Sequence, residues 1–293
     1  MNTRNLRFRS NRIRDIVFLF HEELDHLYDS GEVSVFCDML FEAFLGWDKV
    51  RLLTSKEQTI DQSDLLRFHW ALEDLKEQRP IQHIIGYTDF CGCRIAVNPD
   101  VLIPRPETEE MVEWIVKSYE LRVKSVLDLC TGSGCIAIAL KKTFPQAKVT
   151  AVDMSGMALD MAKKNAKNNG TEIEFIQADL CDSTFHLSPS TFHMIVSNPP
   201  YVRDSEREQM QRNVLDYEPG LALFVPDDDP LRFYKAIAAI AKRHLAKDGL
   251  LAVEINEAFA EETCAVLNSV GLASTVHNDF RGKPRWVSAV WNQ

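Results

Sequence analysis

The stretch Val126-Leu127-Asp128-Leu129-Cys130-Thr131-Gly132-Ser133-Gly134-Cys135-Ile136-Ala137-Ile138-Ala139-Leu140, "VLDLCTGSGCIAIAL", decides the fold. Val126 to Leu129 read as a buried strand. A short turn with two glycines follows, and an apolar helical run comes after it. Glycines at a strand-to-helix turn let backbone approach a ligand closely, and the helix N-terminus then offers free N–H groups to an anion. The dinucleotide pattern G-x-G-x-x-G is not met, because Cys130 stands where its first glycine would be. Taken alone, a plain tight turn accounts for the same residues.

Outward from this stretch, strands and helices alternate. The patterning predicts strands at 125–129, 149–153, 172–177, 194–197 and 250–255, and helices at 134–143, 155–168, 230–246 and 258–270. Ser155 reads as an N-cap with Gly170 as its helix stop, and Asp229 as a cap with Pro230 in first position. Two strand-like runs flank Arg281-Gly282-Lys283-Pro284 at the end. The alternation implies an α/β doubly wound fold, a parallel sheet covered on both faces.

Before it the texture differs. Ile13, Ile16, Val17, Phe20, Leu24 and Leu27 recur at helical spacing. Val33, Phe36, Cys37, Leu40, Phe41 and Phe44 do the same, as do Leu65, Leu66, Phe68, His69, Leu72 and Leu75. These stripes predict a small all-α domain over 1–80, closed by Pro80. Residues 81–105 read as a hairpin or extended linker, with a strand over 90–97 and a stiff Pro104-Arg105-Pro106. A helix over 107–119 opens the second domain, 106–293, with acids in its first turn where the dipole favours them.

Composition limits the function. The chain of 293 residues is 45% hydrophobic and 26% charged, ordinary for a globular protein. No apolar run approaches the ~20 residues of a membrane span. Met1 to Arg14 hold five arginines and no acid, without the apolar core of a secretory signal. That start reads as a solvated tail or first helix, and the expected location is the cytoplasm. A net charge of −10 argues against a stable grip on duplex nucleic acid. The seven cysteines include no C-x-x-C pair and read as reduced thiols, and no metal site is expected.

Asp153 ends the second strand, where doubly wound folds place an acid on ribose hydroxyls. Asp179 ends the third in "IQADL". With Asp128 this gives three acids expected along one sheet edge. Each could equally cap the helix that follows. The fourth strand ends in Ile195-Val196-Ser197-Asn198-Pro199-Pro200-Tyr201. Asn198 offers a side-chain carbonyl, and Pro199 can offer only its backbone carbonyl. Two neighbouring acceptors suit a planar group with two N–H donors, an amide or an exocyclic amine. Tyr201 can stack on that group. Holding both N–H bonds leaves the nitrogen lone pair facing out of the plane, and the two dipoles stabilise the positive charge that grows as nitrogen attacks a methyl group. The rest is positioning for in-line displacement. A turn with a structural Asn is the plain alternative.

"NPPY" with "DLCTGSG" resembles the S-adenosylmethionine-dependent amino methyltransferases. Residues 79–114, "RPIQHIIGYTDFCGCRIAVNPDVLIPRPETEEMVEW", are similar to a segment peculiar to the protein-(glutamine-N5) methyltransferases that modify peptide chain release factors. "DYEPGLALF", Asp216 to Phe224, matches another stretch of that family. The resemblance implies a class I (Rossmann-like) methyltransferase domain after a helical substrate-docking domain. It implies S-adenosylmethionine as cofactor, with Cys130, Thr131, Gly132, Ser133 and Gly134 around its methionine part, Asp153 on the ribose, and Asp179 and Leu180 beside the adenine. Asp128 and Asn198 complete the implied cofactor set. Asn198, Pro199, Pro200 and Tyr201 would hold the glutamine of the Gly-Gly-Gln loop in class-1 release factors, with Asn198, Pro199 and Tyr201 as the catalytic group. A monomer is expected. Cys130 replaces the family's usual glycine, and Leu180 stands where some members have an aromatic. Arg105 and Glu254 are lesser candidates: Arg105 could line the mouth of the pocket or equally sit on the surface beside the prolines, and Glu254, ending the fifth strand, could face the site but reads better as a buried, paired structural acid. One rival is a nucleic-acid amino methyltransferase acting on adenine N6 or guanine N2 of a flipped base. Another is a cofactor-binding scaffold without catalysis.

Overall fold

The alternation after Ser125 closes into one seven-stranded sheet in the computed structural model, which describes residues 9–118, 123–182, 185, 187 and 191–292. Met1 to Phe8, in the arginine-rich start, and Tyr119, the expected end of helix 107–119, lie outside the described residues.

Two compact units are present. One comprises Met1–Gly86 with Arg212–Tyr217, the other Tyr87–Gln211 with Glu218–Gln293. The first holds α1 (Ile13–Leu24), α2 (Ser30–Leu45), α3 (Lys49–Thr54), α4 (Gln62–Lys76) and α5 (Ile81–Ile85). Asp29, Asp48 and Asp61 cap α2, α3 and α4 by accepting from first-turn amides. The apolar stripes meet around Phe20, Phe41 and Phe68, all fully buried, with the Phe41 and Phe68 rings 4.5 Å apart. Leu27 and Leu66, the stripe positions nearest the polar face, are exposed. Ile81–Ile85, expected as linker, is a helical turn of this unit, and Tyr217 donates to the Glu77 carbonyl at 3.0 Å.

The second unit opens with a hairpin, β1 (Tyr87–Phe90) and β2 (Cys93–Ala96), then α6 (Pro106–Ser118). There follow β3 (Ser125–Leu129), α7 (Cys135–Thr143), β4 (Lys148–Asp153), α8 (Gly156–Asn168), β5 (Glu174–Gln177) and β6 (Phe192–Ser197). A short pair, β7 (Val202–Arg203) and β8 (Phe224–Val225), brackets α9 (Arg212–Leu215), which lies in the first unit. The chain ends with α10 (Arg232–His244), β9 (Leu245–Glu254), α11 (Ala260–Ser269), β10 (Leu272–Asn278) and β11 (Pro284–Trp291). The sheet order is β10-β11-β9-β6-β3-β4-β5. β3, β4, β5, β6 and β9 run parallel, while β11 is antiparallel to both its neighbours, so the sheet is mixed rather than wholly parallel. Apolar clusters cover both faces, one around Val126, Ile136 and Val196, the other around Leu127, Ile195 and Tyr234.

Ser155 caps α8 as expected from its sequence, accepting from Ala158 N at 3.2 Å. Asp229 does not cap α10. The helix starts at Arg232 with Leu231 before it, and the Asp229 carboxylate takes the Lys235 ammonium at 2.6 Å instead. β9 starts at Leu245, earlier than predicted, because buried Leu245 already pairs with Phe192.

Gly134 enters α7 in the left-handed region, φ +81°, with α8 directly above it. A Cβ there would lie 3.0 Å from the Ala162 Cβ. Gly134→Ala therefore combines backbone strain with overpacking and should cost about 1–3 kcal/mol, read as a lower urea midpoint.

Candidate active site

Four neighbouring strands set the site. Val152 pairs with Leu129, Leu129 with Ser197, and Ser197 with Val253, one continuous row across β4, β3, β6 and β9. The next residue on each parallel strand is Asp153, Cys130, Asn198 and Glu254. Ser197 locks the row at its centre: its buried hydroxyl donates to the Leu129 carbonyl at 2.7 Å. β3 is where the chain reverses its direction of travel across the sheet, since β4 and β5 lie to one side and β6 to the other. Open α/β sheets bind ligands at such a point, outside the strands' carboxyl ends.

The glycine loop is held by two acids. Asp128 is fully buried, and its Oδ2 accepts from the Thr131 hydroxyl at 2.6 Å and from Ala137 N at 3.2 Å. Burial pushes its pKa up to about 7. Asp153 accepts from Gly132 N at 2.8 Å and from Ser155 N at 2.9 Å, and burial raises its pKa as well. Asn165 of α8, also fully buried, bridges the loop to the hairpin by donating to the carbonyls of Ser133 and Ala96, both at 2.9 Å. Cys130 adopts φ +58°, a conformation that favours glycine, and burial keeps its thiol protonated.

A cavity of about 230 Å³ opens on this loop. Its wall includes Cys130, Thr131, Gly132, Ser133, Asp153, Asp179, Leu180, Asn198 and Pro200, all singled out in the sequence. Asp128 and Gly134 are not on it. Asp128 points under α7 and Gly134 against α8, so the expected row of three acids on the edge reduces to Asp153 and Asp179. Asp179 also accepts from Cys181 N at 2.8 Å. The wall continues through Pro99, Val101, Met157, Leu221 and Phe233, none of which the sequence reading gave a role.

Pro199 and Tyr201 face a second, smaller cavity, with Arg105, Val202 and Leu223. Leu102, Asn198 and Ala222 line both cavities, so Asn198 stands at their junction. Among the described residues no donor reaches Asn198 Oδ1 or the Pro199 carbonyl. Asn198 Nδ2 donates to Thr108 Oγ1 at 3.1 Å, Thr108 donates to Glu254 Oε2 at 2.5 Å, and Tyr201 donates to Glu254 Oε1 at 2.8 Å. Burial and the facing Glu254 raise the Tyr201 pKa well above that of a free phenol, so it remains a donor. Arg105 is anchored: its guanidinium meets Glu218 at 2.5 Å, and the buried Glu218 also accepts from Ile103 N at 2.9 Å. Thr108, Asn165 and Glu218 were missed in the sequence. Their partners lie 90, 69 and 115 residues away, and no local pattern in the sequence points to them.

A Rossmann-like sheet with a glycine loop, an acid on the next strand and an Asn-Pro-Pro-Tyr corner beside them defines a methyltransferase. Residues 108–216 match the methyltransferase small domain, and residues 28–86 match the PrmC N-terminal domain. The chain is 43% identical over 274 residues to the release factor glutamine methyltransferase of Flavobacterium psychrophilum, covering 92% of this chain and 95% of that one. It is 38% identical over 275 residues to that of Bacteroides thetaiotaomicron, covering 94% and 98%. The chain belongs to the release factor glutamine methyltransferase family. Among solved structures, a methyltransferase from Pyrococcus furiosus superposes with a TM-score of 0.50 at 19% identity, covering 68% of this chain and 89% of that one. The hMettl16 catalytic domain, solved with the MAT2A 3'UTR hairpin 6, gives 0.53 at 15% identity, covering 82% and 86%. Both show the shared fold.

The raised pKa of Asp128 has a consequence for stability. Between its ordinary 3.8 and about 7, the folded chain holds a proton there that the unfolded chain has lost, so stability falls as pH rises through that window. Asp128→Asn removes this contribution. The drop in urea midpoint between about pH 5 and pH 7.5 should be smaller in the variant than in the wild type.

Proposed function

We propose that this chain transfers a methyl group from S-adenosylmethionine to the side-chain amide nitrogen of a glutamine, that of the Gly-Gly-Gln loop of a class-1 peptide chain release factor. The observation that supports it best is Asn198 at the junction of two cavities, with its Oδ1 and the neighbouring Pro199 carbonyl both open to a donor. Family membership points to the same substrate.

The larger cavity suits the cofactor. Gly132, φ +53°, has no atom within 4 Å of where a Cβ would stand, so ligand atoms can approach its backbone. Thr131 and Ser133 flank it. Asp153 still has free lone pairs for a diol beyond its two amide donors. Val101, Met157, Leu180 and Phe233 give apolar walls suited to a flat ring. When bound, S-adenosylmethionine would supply an electrophilic methyl group and leave as S-adenosylhomocysteine, and the methylated nitrogen would give up one of its two protons to solvent. Asn198 Oδ1 and the Pro199 carbonyl accept the two N–H bonds of the substrate amide, holding its plane so that the nitrogen lone pair faces the larger cavity. Both carbonyl dipoles stabilise the positive charge that builds on nitrogen. Tyr201 lines the substrate side and packs on the amide plane. Pro200 keeps the corner rigid between the two cavities.

The N-terminal helices of the first unit help dock the release factor, and the hairpin from Tyr87 with the extended stretch up to 105 links them to the transferase domain. The enzyme works as a monomer in the cytoplasm, and it binds no nucleic acid stably, the last supported by the net charge of −10. No described helix is long and apolar enough to cross a membrane.

The test is methyl transfer from labelled S-adenosylmethionine to a purified release factor, to the same factor with its Gly-Gly-Gln glutamine replaced, and to duplex DNA. Label on the first alone is expected, and label on DNA instead would move the assignment to a base methyltransferase. Asn198→Ala should lower kcat by about 100- to 1,000-fold while leaving cofactor affinity within a few-fold, as measured by calorimetry and single-turnover rates. Equal losses of cofactor binding and turnover would make Asn198 structural.

A further inference from the structure

We infer that Thr108 and Glu254 are positioning residues, which hold the Asn198 amide with its NH₂ turned inward and its Oδ1 turned to the substrate, and which fix the Tyr201 ring beside it. The inference rests on the proposed role of Asn198.

The direction of the hydrogen bonds follows from donor counting. A threonine hydroxyl has one proton. Thr108 gives it to Glu254 Oε2 at 2.5 Å, so only its lone pairs remain for Asn198. At 3.1 Å Asn198 must then present an N–H, and its carbonyl oxygen is left pointing elsewhere. An Asn side chain without this partner could flip end for end and offer NH₂ to a substrate NH₂, which would repel it. Glu254 therefore sets which end of Asn198 the substrate meets, although it touches neither the larger nor the smaller cavity. Its other oxygen accepts from Tyr201 at 2.8 Å. Asn256, two residues on, donates to the Tyr201 carbonyl at 3.1 Å, so the end of β9 grips both the ring and the backbone of the corner.

Stability alone does not account for an acid at this place. Glu254 is 1% exposed, and among the described residues no Lys, Arg or His nitrogen lies within the 4.0 Å of an ion pair. The nearby Arg285 spends its Nε on Asp279 at 3.1 Å. A buried carboxylate hydrogen-bonded only by neutral side chains, with the charge of Arg285 acting on it from beyond ion-pair distance, is costly to keep, and a well-packed apolar pair of similar volume would serve the core as well or better. As a carboxylate Glu254 accepts at both oxygens, and its two donors, Thr108 of α6 and Tyr201 of the corner, take one each.

The experiment compares Thr108→Val, which keeps the shape and removes the hydroxyl, with Thr108→Ser, which keeps the hydroxyl. In release factor methylation, Thr108→Val should lose about 10- to 100-fold in kcat, the scale of losing an outer partner of an active-site group, with KM for the factor within about threefold. Thr108→Ser should stay within about threefold of the wild type. Hydrogen exchange of the Asn198 side-chain NH₂ supplies a readout that needs no substrate, in protein labelled with ¹⁵N-asparagine and assigned through Asn198→Ala. In the wild type it should be slower than that of exposed Asn292, and it should accelerate in Thr108→Val only. Wild-type kcat in Thr108→Val, an equal loss in Thr108→Ser, or exchange at Asn198 as fast as at Asn292 would each overturn the inference. A wild-type chain that methylates no release factor would defeat the functional reading, while the exchange rates would still decide this one.

Discussion

The register of one row of paired residues is the constraint on which the site depends. Val152, Leu129, Ser197 and Val253 face one another across four parallel strands, and the hydroxyl of Ser197 pins the centre of the row to β3. Side chains on a strand change face at every residue, so a slip of one position would turn each following residue to the opposite side. Here the residues that leave the row are Asp153, Cys130, Asn198 and Glu254, drawn from four separate parts of the chain. No loop has to search for its place. The sheet delivers the glycine loop, the acid beyond β4, the Asn-Pro-Pro-Tyr corner and its buried carboxylate to one edge together.

Buried acids are the recurring device at that edge. Asp128 and Asp153 accept from amides and a hydroxyl of the glycine loop, Glu254 from Thr108 of α6 and Tyr201 of the corner, and Glu218 from the segment bearing Arg105. In each case the carboxylate fixes a polar group by accepting a hydrogen bond from it. Desolvation opposes the charge, and the raised pKa values of Asp128, Asp153 and Glu254 record that opposition. The result is a site whose hydrogen-bond directions are settled before any ligand arrives, which is what preorganised electrostatics requires.

Much of this was legible in the sequence where the signal is local. The strand-turn-helix at Val126–Leu140, the cap at Ser155 and the proline corner after Asn198 depend on neighbouring residues, and the structure places them as the pattern suggests. The failures concern direction and distance. Asp128 looked like an edge acid because it lies near the end of a strand. Its alternation places it with Val126, on the face covered by α7, and Leu127 and Leu129 point the other way. Asp229-Pro230 looked like a helix start, yet the ion pair with Lys235 wins. Thr108 could not be linked to Asn198 without knowing that α6 packs on β9 and that β9 lies next to β6, a topology no local pattern states.

The open acceptors at the corner also distinguish product from substrate. On the proposed reading, an unmodified amide brings two N–H bonds to Asn198 Oδ1 and the Pro199 carbonyl, one for each. After one transfer and loss of a proton the nitrogen keeps a single N–H, so one acceptor is left facing a methyl group. An unpaired buried acceptor is unfavourable by roughly 1–3 kcal/mol. The same two atoms that orient the substrate therefore weaken the hold on what they have made and disfavour a second methylation. On that same reading the corner counts hydrogens, which favours a stop at one methyl group and release of the product.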